Sequence, residues 1–305
     1  DIYYKSNVGA TGISHVYLIN SSSYIKSNIG VSGQYNVILA DRIDTNIVPN
    51  VKVPEYKNYS YTMRSSGNTT YNKKFNSRNF INAGVYADIY NTSFKDSTNN
   101  FDSLGLISLR NYTGQTLLGR MFAQWQHKFG AKFSMNTGVS YQQLFLNNSY
   151  NIEPRFGLKY EINNKQSLSF GAGLHSQLQP LYVYFSTSKT ANGNVETNRN
   201  LDFSKAAHAI VAYDISLFKN TRIKAEAYYQ YLYSIPVRTR SDYFSAINLG
   251  ADFESPNIDS LVNNGTGENY GIEFTLEKFY SKGYYFLFTT SVFQSKYYGS
   301  DKVYR

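Results

Sequence analysis

The stretch GYYFLFTTSVFQSKYYGS, residues 283–300, has a tyrosine pair near each end and aromatic and hydroxylated side chains between them. Successive side chains of a β-strand point to opposite faces, so the stretch divides into an apolar face and a face that is small and hydroxylated in its middle. The first face comprises Tyr284, Phe286, Phe288, Thr290 and Val292, and the second comprises Leu287, Thr289, Ser291, Phe293 and Ser295. Soluble sheets also alternate, so one strand does not identify its surroundings.

The same alternation recurs in ENYGIEFTLEKF (residues 268–279), RIKAEAYYQYLY (222–233) and PRFGLKYEI (154–162). In each segment, one face is mostly apolar or aromatic, and the opposite face is mostly charged, polar or small. This period of two is typical of β-strands that separate two different environments. The pattern therefore characterises most of the chain and predicts an all-β fold.

The composition favours a sheet with one face in lipid. Charged residues make up 17% of the 305 residues, below the roughly 25% of soluble domains, whereas Tyr and Phe number 30 and 20. Mean hydropathy is −0.43, and no run approaches the ~18–20 apolar residues of a membrane-spanning helix. The net charge of +9 comes from Lys and Arg scattered singly along the chain, so no nucleic-acid partner is predicted.

The absence of cysteine excludes disulfides, thiolate metal sites and cysteine nucleophiles.

Twelve strands are predicted, and short turns rich in Asn, Gly, Ser and Lys alternate with longer connections. The predicted strands are 8–19, 24–41, 59–75, 80–94, 114–129, 133–146, 152–162, 167–185, 205–218, 222–235, 267–280 and 284–298. The predicted turns are Asn20–Ser23, Asn76–Asn79, Gly130–Lys132, Asn163–Lys165, Lys219–Thr221 and Ser281–Gly283. The longer connections are Arg42–Asn58, Lys95–Thr113, Ser186–Ser204 and Arg238–Thr266, and Asn147–Asn151 is a short member of that series.

This alternation of turns and loops is typical of an outer-membrane barrel, in which turns face the periplasm and loops face the outside. The segment from Tyr284 to Tyr298 has 14 steps, about 46 Å of strand at ~3.3 Å each, or about 35 Å of height at a tilt of ~40°. That height accommodates an apolar band and two aromatic girdles. We therefore predict an antiparallel transmembrane β-barrel of about 12 strands in contact with the lipid of the bacterial outer membrane.

The alternation also predicts which side chains face lipid and which face a wet interior. A charge on the lipid face at mid-bilayer costs ~2–4 kcal/mol, whereas the interior can hold water. The predicted lipid-facing set is Ile223, Ala225, Ala227, Tyr229, Ile272, Phe274, Leu276, Phe286, Phe288 and Val292. The predicted interior set is Lys224, Glu226, Gln230, Glu273, Thr275, Glu277, Thr289 and Ser291.

The first predicted strand runs into a short turn and the last one runs out of one, so both ends of the chain are expected beside the long loops. A complete single-chain barrel is expected to have its ends on the short-turn side. In addition, the chain opens DIYYKSNVG without a starting Met or a signal peptide, and it ends DKVYR without an aromatic closing strand. These features predict that residues 1–305 are one internal section of a larger barrel, with its first and last strands unpaired. The alternative is a miscounted strand at one end.

Three segments carry a resemblance to a known family. Residues 151–185 (NIEPRFGLKYEINNKQSLSFGAGLHSQLQPLYVYF) resemble the middle of the barrel in TonB-dependent outer-membrane receptors of Bacteroidetes type. Residues 205–237 (KAAHAIVAYDISLFKNTRIKAEAYYQYLYSIPV) and 263–305 (NNGTGENYGIEFTLEKFYSKGYYFLFTTSVFQSKYYGSDKVYR) look like the segments that follow in that family. Residues 1–150 fit the layout but carry weaker signatures.

The resemblance implies a barrel of about 22 strands with an N-terminal plug domain. It also implies a nutrient ligand, such as a siderophore, an oligosaccharide or a peptide, and a TonB-type energy complex that acts on the plug. No plug, TonB-box segment or carboxypeptidase-like domain is recognised in residues 1–305. We therefore expect the plug and the contact with TonB to belong to other parts of the same parent chain.

The polar residues predict no catalytic, cofactor or metal site. Four histidines are present, His15, His127, His175 and His208. His208 and Asp214 share a strand face but lie ~20 Å apart, too far for an acid–base pair along that strand. Glu226, Glu273 and Glu277 are candidates for paired carboxylates, with Lys159, Lys224 and Arg155 nearby, but a charge ladder lining a water-filled interior explains them equally well. GTGENYG precedes a strand and not a helix, so it does not predict a phosphate-binding loop. We therefore expect the protein not to be an enzyme.

Aromatic side chains near the loops are the candidate ligand contacts. Tyr182 and Tyr184 are predicted near the top of a strand, and Tyr243 and Phe244 lie in the longest predicted loop. Such rings stack on a ligand or seal the mouth of a barrel. Packing within the loops or the girdle would account for them as well.

Two other hypotheses remain open from the sequence. The first is a complete porin or barrel enzyme of about twelve strands, which requires pairing between the first and last strands. For an enzyme it also requires a His within ~3 Å of a Ser, Asp or Glu partner. The second is a soluble β-protein such as an adhesin or solenoid, in which Tyr270, Ile272, Phe274 and Leu276 would pack into a protein core.

Overall fold

The computed structural model describes residues 1–44, 49, 51–99, 105–191, 193–218, 220–249 and 257–305. Within these ranges the chain forms fourteen strands and two short helical segments. The strands are β1 (Ile2–Asn20), β2 (Ser23–Asp44), β3 (Val51–Lys74), β4 (Asn79–Asn99), β5 (Leu106–Lys128), β6 (Phe133–Leu144), β7 (Ser149–Asn163), β8 (Gln166–Gln177), β9 (Thr187–Thr190), β10 (Gly193–Glu196), β11 (Ser204–Phe218), β12 (Thr221–Arg238), β13 (Leu261–Ser281) and β14 (Tyr284–Tyr298). The helical segments are α1 (Leu181–Tyr184) and a 3-10 turn (Ala246–Asn248). None of the helices in these ranges has the length and apolarity needed to cross a bilayer.

Twelve strands form one antiparallel sheet in which each strand pairs with the next, and β8 pairs directly with β11. β9 and β10 form a separate hairpin. Every one of the twelve predicted strands is present in the sheet. In the part of the chain that the structure describes, β1 and β14 are not paired with each other, as predicted.

Both ends of the chain lie on the side of the long connections, also as predicted. The amino group of Asp1 donates a hydrogen bond to the carbonyl of Asp41, near the end of β2 (2.9 Å). The backbone of Arg305 exchanges hydrogen bonds with Tyr297, near the end of β14.

The short turns use side-chain amides to satisfy the backbone. The Oδ1 atom of Asn20 accepts the backbone N–H of Ser22 (3.0 Å), and the Oδ1 atom of Asn163 accepts that of Lys165 (2.9 Å). Lys282 and Gly283 both have positive φ, 54° and 86°, as a tight two-residue hairpin requires. The predicted turns are confirmed, with Lys219 lying outside the described residues.

The predicted connections 42–58 and 95–113 are shorter in the structure than expected, because β2 to β5 continue beyond the apolar band. Polar groups bind one another across the strands there. Arg42 Nε donates to Glu55 Oε2 (3.2 Å), and Thr98 Oγ1 donates to the carbonyl of Glu55 (3.2 Å). Strand pairing therefore extends into water, where the alternation of apolar and polar residues is lost and the sequence gives no strand signal.

The predicted strand 167–185 is wrong beyond Gln177. Pro180 has no backbone N–H to donate to a sheet, and its carbonyl accepts the N–H of Val183 (2.9 Å) to open α1. Tyr182 and Tyr184 therefore lie in a four-residue helix and not at the top of a strand. The apolar residues of this segment led to the strand prediction, but in the structure they pack into a small core.

Strand register keeps the two predicted sets of residues on opposite faces of the sheet. Residues directly opposite one another in an antiparallel pair share a face. Glu226 lies opposite Glu273, which lies opposite Ser291 on β14. The neighbouring residues Ala227, Ile272 and Val292 are matched in the same way on the other face, and the last two are 63% and 77% exposed.

A short apolar core shows which face is the inner one. The segment between β8 and β11, residues 178–203, is called the inner cap below. Its buried side chains pack on one face of β4 to β6. When the register is followed from strand to strand across the sheet, this face is the one that carries Glu226 and Glu273. The core comprises Phe94, Leu118, Leu144, Val183, Tyr184, Phe185, Leu201, Phe203, Ile258 and Leu261.

The opposite face carries an apolar band of limited height. On β13 it lies between Glu268 and Lys278, which are ten residues apart, or about 33 Å along the strand and ~25 Å in height at a tilt of ~40°. Aromatic rings border the band on both sides. They include Tyr229, Tyr231, Tyr270 and Tyr298 on the side of the long connections and Phe129, Phe218, Tyr280 and Tyr284 on the side of the turns. This height and arrangement are those of a transmembrane barrel.

Candidate functional site

The middle of the inner face of β3 to β5 holds two arginines around one carboxylate. Asp88 is almost fully buried and accepts hydrogen bonds from Arg64 Nε (3.0 Å) and Nη2 (2.8 Å) and from Arg120 Nη2 (2.5 Å). The guanidinium groups also lie over aromatic rings, Arg64 over Tyr90 at 5.8 Å and Arg120 over Tyr86 at 5.3 Å. Bidentate and stacked contacts of this kind fix the two guanidinium planes, leaving a local excess of positive charge on the interior wall.

Glu153 organises the next part of the inner face, where pairing between β7 and β8 ends at Arg155 and Gly173. Its carboxylate accepts hydrogen bonds from Ser140 Oγ (2.9 Å), Gln142 Nε2 (3.0 Å) and Arg155 Nη2 (2.7 Å). It also accepts the backbone N–H and the hydroxyl of Ser176, both at 2.7 Å. The carboxylate therefore replaces the missing ladder partner of β8 and lets this strand diverge from β7.

Two histidines are stacked beside this network. The rings of His175 and His208 have centroids 4.1 Å apart and planes inclined by 20°. Asp214, the residue on the same strand face as His208, pairs instead with Arg222 Nε (2.8 Å). As expected, His208 and Asp214 do not form an acid–base pair.

The predicted interior charges of β12 and β13 form a ladder toward the turns. Lys224 Nζ lies 2.6 Å from a carboxylate oxygen of Glu226, and Arg222 lies 3.8 Å from Glu277. Glu273 lies opposite Glu226 on the same face. Glu226 and Glu277 thus each have a cation nearby on this face, which is the arrangement expected of a hydrated interior wall. For the described residues, no group of three or more His, Asp or Glu side chains is placed to hold a metal ion.

The inner cap is attached to the sheet through a buried ion pair and an aromatic stack. Arg110 Nε donates to Asp96 Oδ1 (2.9 Å), and both side chains are fully buried. The Tyr182 ring lies 5.3 Å from the guanidinium carbon of Arg110, and Tyr112 stacks on Phe185 with centroids 3.5 Å apart. The cap therefore rests on β4 and β5 through contacts that exclude water.

One buried amide joins the cap to the residues that lead into β13. Asn198 Nδ2 donates to the carbonyls of Val183 (3.0 Å) and Ile258 (2.6 Å), and its Oδ1 accepts the backbone N–H of Leu261 (3.0 Å). A single side chain thus bonds to three backbone groups, one in α1 and two at or near the start of β13.

We expect Asn198→Ala to open the cap. Loss of three hydrogen bonds at roughly 1 kcal/mol each lowers the free energy of local opening by about 3 kcal/mol, and cleavage should then be about 100-fold faster. Lys189 and Arg199 make the cap a trypsin substrate, so limited proteolysis reports its opening. The matched control is Asn194→Ala in the same cap, which removes one exposed contact at 3.5 Å to the carbonyl of Ser108. Equal cleavage rates in the two variants would contradict the role of Asn198.

The structure brings three of the four predicted ligand-contact aromatics into or against the apolar core. Tyr184 is fully buried within it, and burial raises the pKa of its phenol. Tyr182 and Phe244 pack against it, and Phe244 also lies 5.7 Å from the guanidinium carbon of Arg238. Tyr243 is 69% exposed and is the one of the four that presents its ring to solvent. Ligand contact by these four residues stays a prediction.

A cavity of about 430 Å³ lies between the inner wall and the 3-10 turn. The wall contributes β8, β11 and β12, and the roof comes from the turn and from the start of the cap. The lining residues are His175, Ser176, Gln177, Leu178, Gln179, Pro180, Ser204, Lys205, Ala206, Gln230, Leu232, Ile235, Ala246, Ile247 and Leu249. Of the predicted interior residues, Gln230 is the one that reaches this cavity.

Several of these functional features escaped sequence reasoning. Glu153, Asn198 and the His175–His208 pair are assembled from different strands and loops, and none belongs to a recognisable motif. Pro180 is the one residue that could have indicated the start of the cap, because a proline within a predicted strand indicates that the strand ends there.

No protein-family model matches the sequence, and no curated protein matches it. The structure, in contrast, is similar to solved outer-membrane TonB-dependent receptors. These include the ferric-catecholate import receptor Fiu from E. coli K12 (TM-score 0.69, 11% identity, covering 97% of this chain and 48% of that one). They also include the ferric yersiniabactin uptake receptor FyuA from Yersinia pestis (TM-score 0.69, 9% identity, covering 97% of this chain and 44% of that one). A third is the RagAB peptide transporter (TM-score 0.65, 10% identity, covering 97% of this chain and 37% of that one).

The likeness at these identities concerns the fold. This chain has the fold of the barrel section of TonB-dependent receptors, and it spans less than half the length of each of these three proteins. The neighbours are outer-membrane importers whose cargoes include siderophores, peptides and copper.

Proposed function

We propose that this chain is part of a TonB-dependent outer-membrane receptor that imports a nutrient such as a siderophore, an oligosaccharide or a peptide. The observation that carries the proposal is the contrast between the two faces of one sheet. An apolar band about 25 Å high suits lipid, while the opposite face carries hydrated ion pairs and a folded cap. A wall of this kind can support passage of a polar solute.

The partners follow from the same proposal. The apolar band contacts outer-membrane lipid. A plug domain elsewhere in the same parent chain would occupy the interior, and a TonB-type complex would act on the N-terminal part of that parent. The exposed polar side chains of β12 to β14 on the inner face are available to such a domain or to water.

A closed porin or barrel enzyme of about twelve strands is less well supported. It requires a hydrogen-bonded ladder between β1 and β14, and the described strands pair only with their sequential neighbours in the sheet. The soluble alternative requires a protein core over Ile272 and its neighbours, whereas Ile272 and Val292 are both exposed on that face.

The proposal is tested by deletion of the complete gene in the source bacterium. We expect the mutant to lose energy-dependent uptake of one class among labelled ferric siderophores, oligosaccharides and peptides. Complementation should restore that uptake, and a protonophore should abolish it. Unchanged uptake of all three classes contradicts the proposal, and uptake that persists with the protonophore indicates a passive pore.

A further inference from the structure

We propose that the cavity between β8, β11, β12 and the 3-10 turn binds an uncharged segment of a short peptide that carries an aliphatic side chain. The inference rests on the proposed importer function and names the substrate class for it. The cavity, at about 430 Å³, is within the range of ~300–1,000 Å³ that is usual for small-ligand sites.

The polar wall offers hydrogen-bonding groups of both kinds. Gln230 uses its Oε1 to accept a hydrogen bond from Asn269 Nδ2 (2.9 Å), which leaves its amide N–H groups to donate into the cavity. Gln179 uses its Nε2 to donate to Ser204 Oγ (2.7 Å), which leaves its Oε1 to accept. A donor and an acceptor that line the same cavity complement the C=O and N–H of a peptide group.

The apolar wall is aliphatic. It is built from Leu178, Leu232, Ile235, Ile247 and Leu249, and the described residues that line the cavity include no Phe, Tyr or Trp. The imidazole of His175 also lines the cavity, but one of its faces is stacked on His208. Sugar rings are commonly bound by stacking on aromatic faces, so this lining does not favour an oligosaccharide. It provides instead a surface for burying a Leu-sized or Val-sized side chain, which contributes about 1.5–3 kcal/mol.

The charges do not favour a polyanionic iron complex. Lys205 is engaged by Asp202, with Nζ 2.6 Å from a carboxylate oxygen, and His175 is stacked on His208. No carboxylate is among the described lining residues. A polyanionic iron complex would lack free cations to bind it, and a cationic ligand would lack a counter-charge, so the guest is uncharged where it enters the cavity.

The roof is fixed by a close approach of the 3-10 turn to the wall. A Cβ atom at Gly267 would lie 2.9 Å from Ile247 Cδ1 and 3.0 Å from the carbonyl oxygen of Lys296, so only glycine leaves room for Ile247 there. Ser245 pairs with Val237 by an isolated bridge just before the turn. Ile247 therefore has a defined position in the cavity and can be used to fill it.

The test uses the intact receptor purified in detergent, with a blocked tetrapeptide, N-acetyl-Ala-Leu-Ala-Leu-amide, as the probe. Maltotetraose and a ferric tris-catecholate complex are the competing ligand classes. Two variants alter the cavity: Ile247→Trp fills it, and Gln230→Leu removes one amide at nearly constant size. The matched control is Gln34→Leu, an inner-face amide on β2 that does not line the cavity. Circular dichroism and thermal unfolding verify that each variant keeps its strands.

We expect the wild-type protein to bind the tetrapeptide in preference to the other two ligands. Binding should weaken about tenfold in Gln230→Leu, the effect of one hydrogen bond, and should be lost in Ile247→Trp. Gln34→Leu should bind within about twofold of wild type. The inference is overturned if the wild-type protein does not bind the tetrapeptide, if it prefers either competitor, or if folded Ile247→Trp binds the peptide as wild type does.

Failure of this inference is distinguishable from failure of the proposed function. If gene deletion abolishes uptake of a sugar or an iron complex, the importer proposal stands and the peptide assignment fails. If the purified protein binds the peptide in the cavity but deletion leaves uptake of all three ligand classes unchanged, the binding site stands and the importer proposal fails.

Discussion

Arg110→Leu is expected to destabilise the attachment of the inner cap by about 3–5 kcal/mol, because it leaves the Asp96 carboxylate buried without its counter-charge. Both side chains are fully buried, and Arg110 also lies over the ring of Tyr182. The guanidinium group therefore satisfies the acid and supports the cap together. The measurement is the rate of trypsin cleavage within residues 178–203 in the detergent-solubilised protein.

The double variant Arg110→Leu/Asp96→Leu provides the control. Removing both charges should recover much of the lost stability, since two apolar side chains in a dry site need no partner. Cleavage of Arg110→Leu at the wild-type rate would contradict the interpretation of this pair. Cleavage of the double variant as fast as that of the single variant would show that the arginine acts through its size and not through its charge.

Phe274→Lys is expected to destabilise the folded barrel by ~2–4 kcal/mol, whereas Thr275→Lys is expected to change its stability by well under ~1 kcal/mol. The two positions are adjacent on β13 but lie on opposite faces, because Phe274 pairs with Ala225 and Thr290, and Thr275 pairs with Lys224 and Thr289. An ammonium group at position 274 would lie in the middle of the apolar band. At position 275 it would lie on the hydrated wall.

The measurement is the free energy of unfolding of each variant in lipid vesicles, taken from urea titration monitored by the gel shift of folded barrels. Lys224 lies near position 275, so modest repulsion there is the main expected cost of Thr275→Lys. Equal destabilisation by the two substitutions would contradict the assignment of the faces, and a larger loss in Thr275→Lys would reverse it.

The strands that could be predicted from sequence are those whose two faces meet different environments. On β12 to β14, a face toward lipid and a face toward water favour alternation along most of each strand, so opposite faces could be predicted for Glu273 and Phe274 from sequence alone. On β2 to β5 the strands continue into water on both sides. Residues such as Arg42, Glu55 and Thr98 then bind one another without alternation, and the ends of these strands could not be predicted.

The candidate site was less predictable because its parts come from distant segments. Tyr184 alternates with apolar neighbours as a strand residue would, but it is buried in a cap whose partners lie on β4 to β6. Asn198 is one of many asparagines, and its role depends on Ile258 and Leu261, about sixty residues away. Gln230 was predicted to face the interior, but the cavity that it lines also depends on Ile247, which approaches Gly267 from a distant loop.

The most direct test of the central claim, that this sheet separates lipid from a hydrated interior, is the environment of neighbouring side chains on β13. The chain has no cysteine, so Ile272→Cys and Glu273→Cys each provide a single labelling site. An environment-sensitive fluorophore is attached at each site in the intact receptor, reconstituted in vesicles. Nitroxide-bearing lipids and aqueous iodide serve as quenchers.

The account predicts that the label at position 272 is quenched by the nitroxide lipid and protected from iodide, and that the label at position 273 is quenched by iodide and protected from the lipid. The opposite pattern, or quenching of both labels by iodide alone, would contradict it.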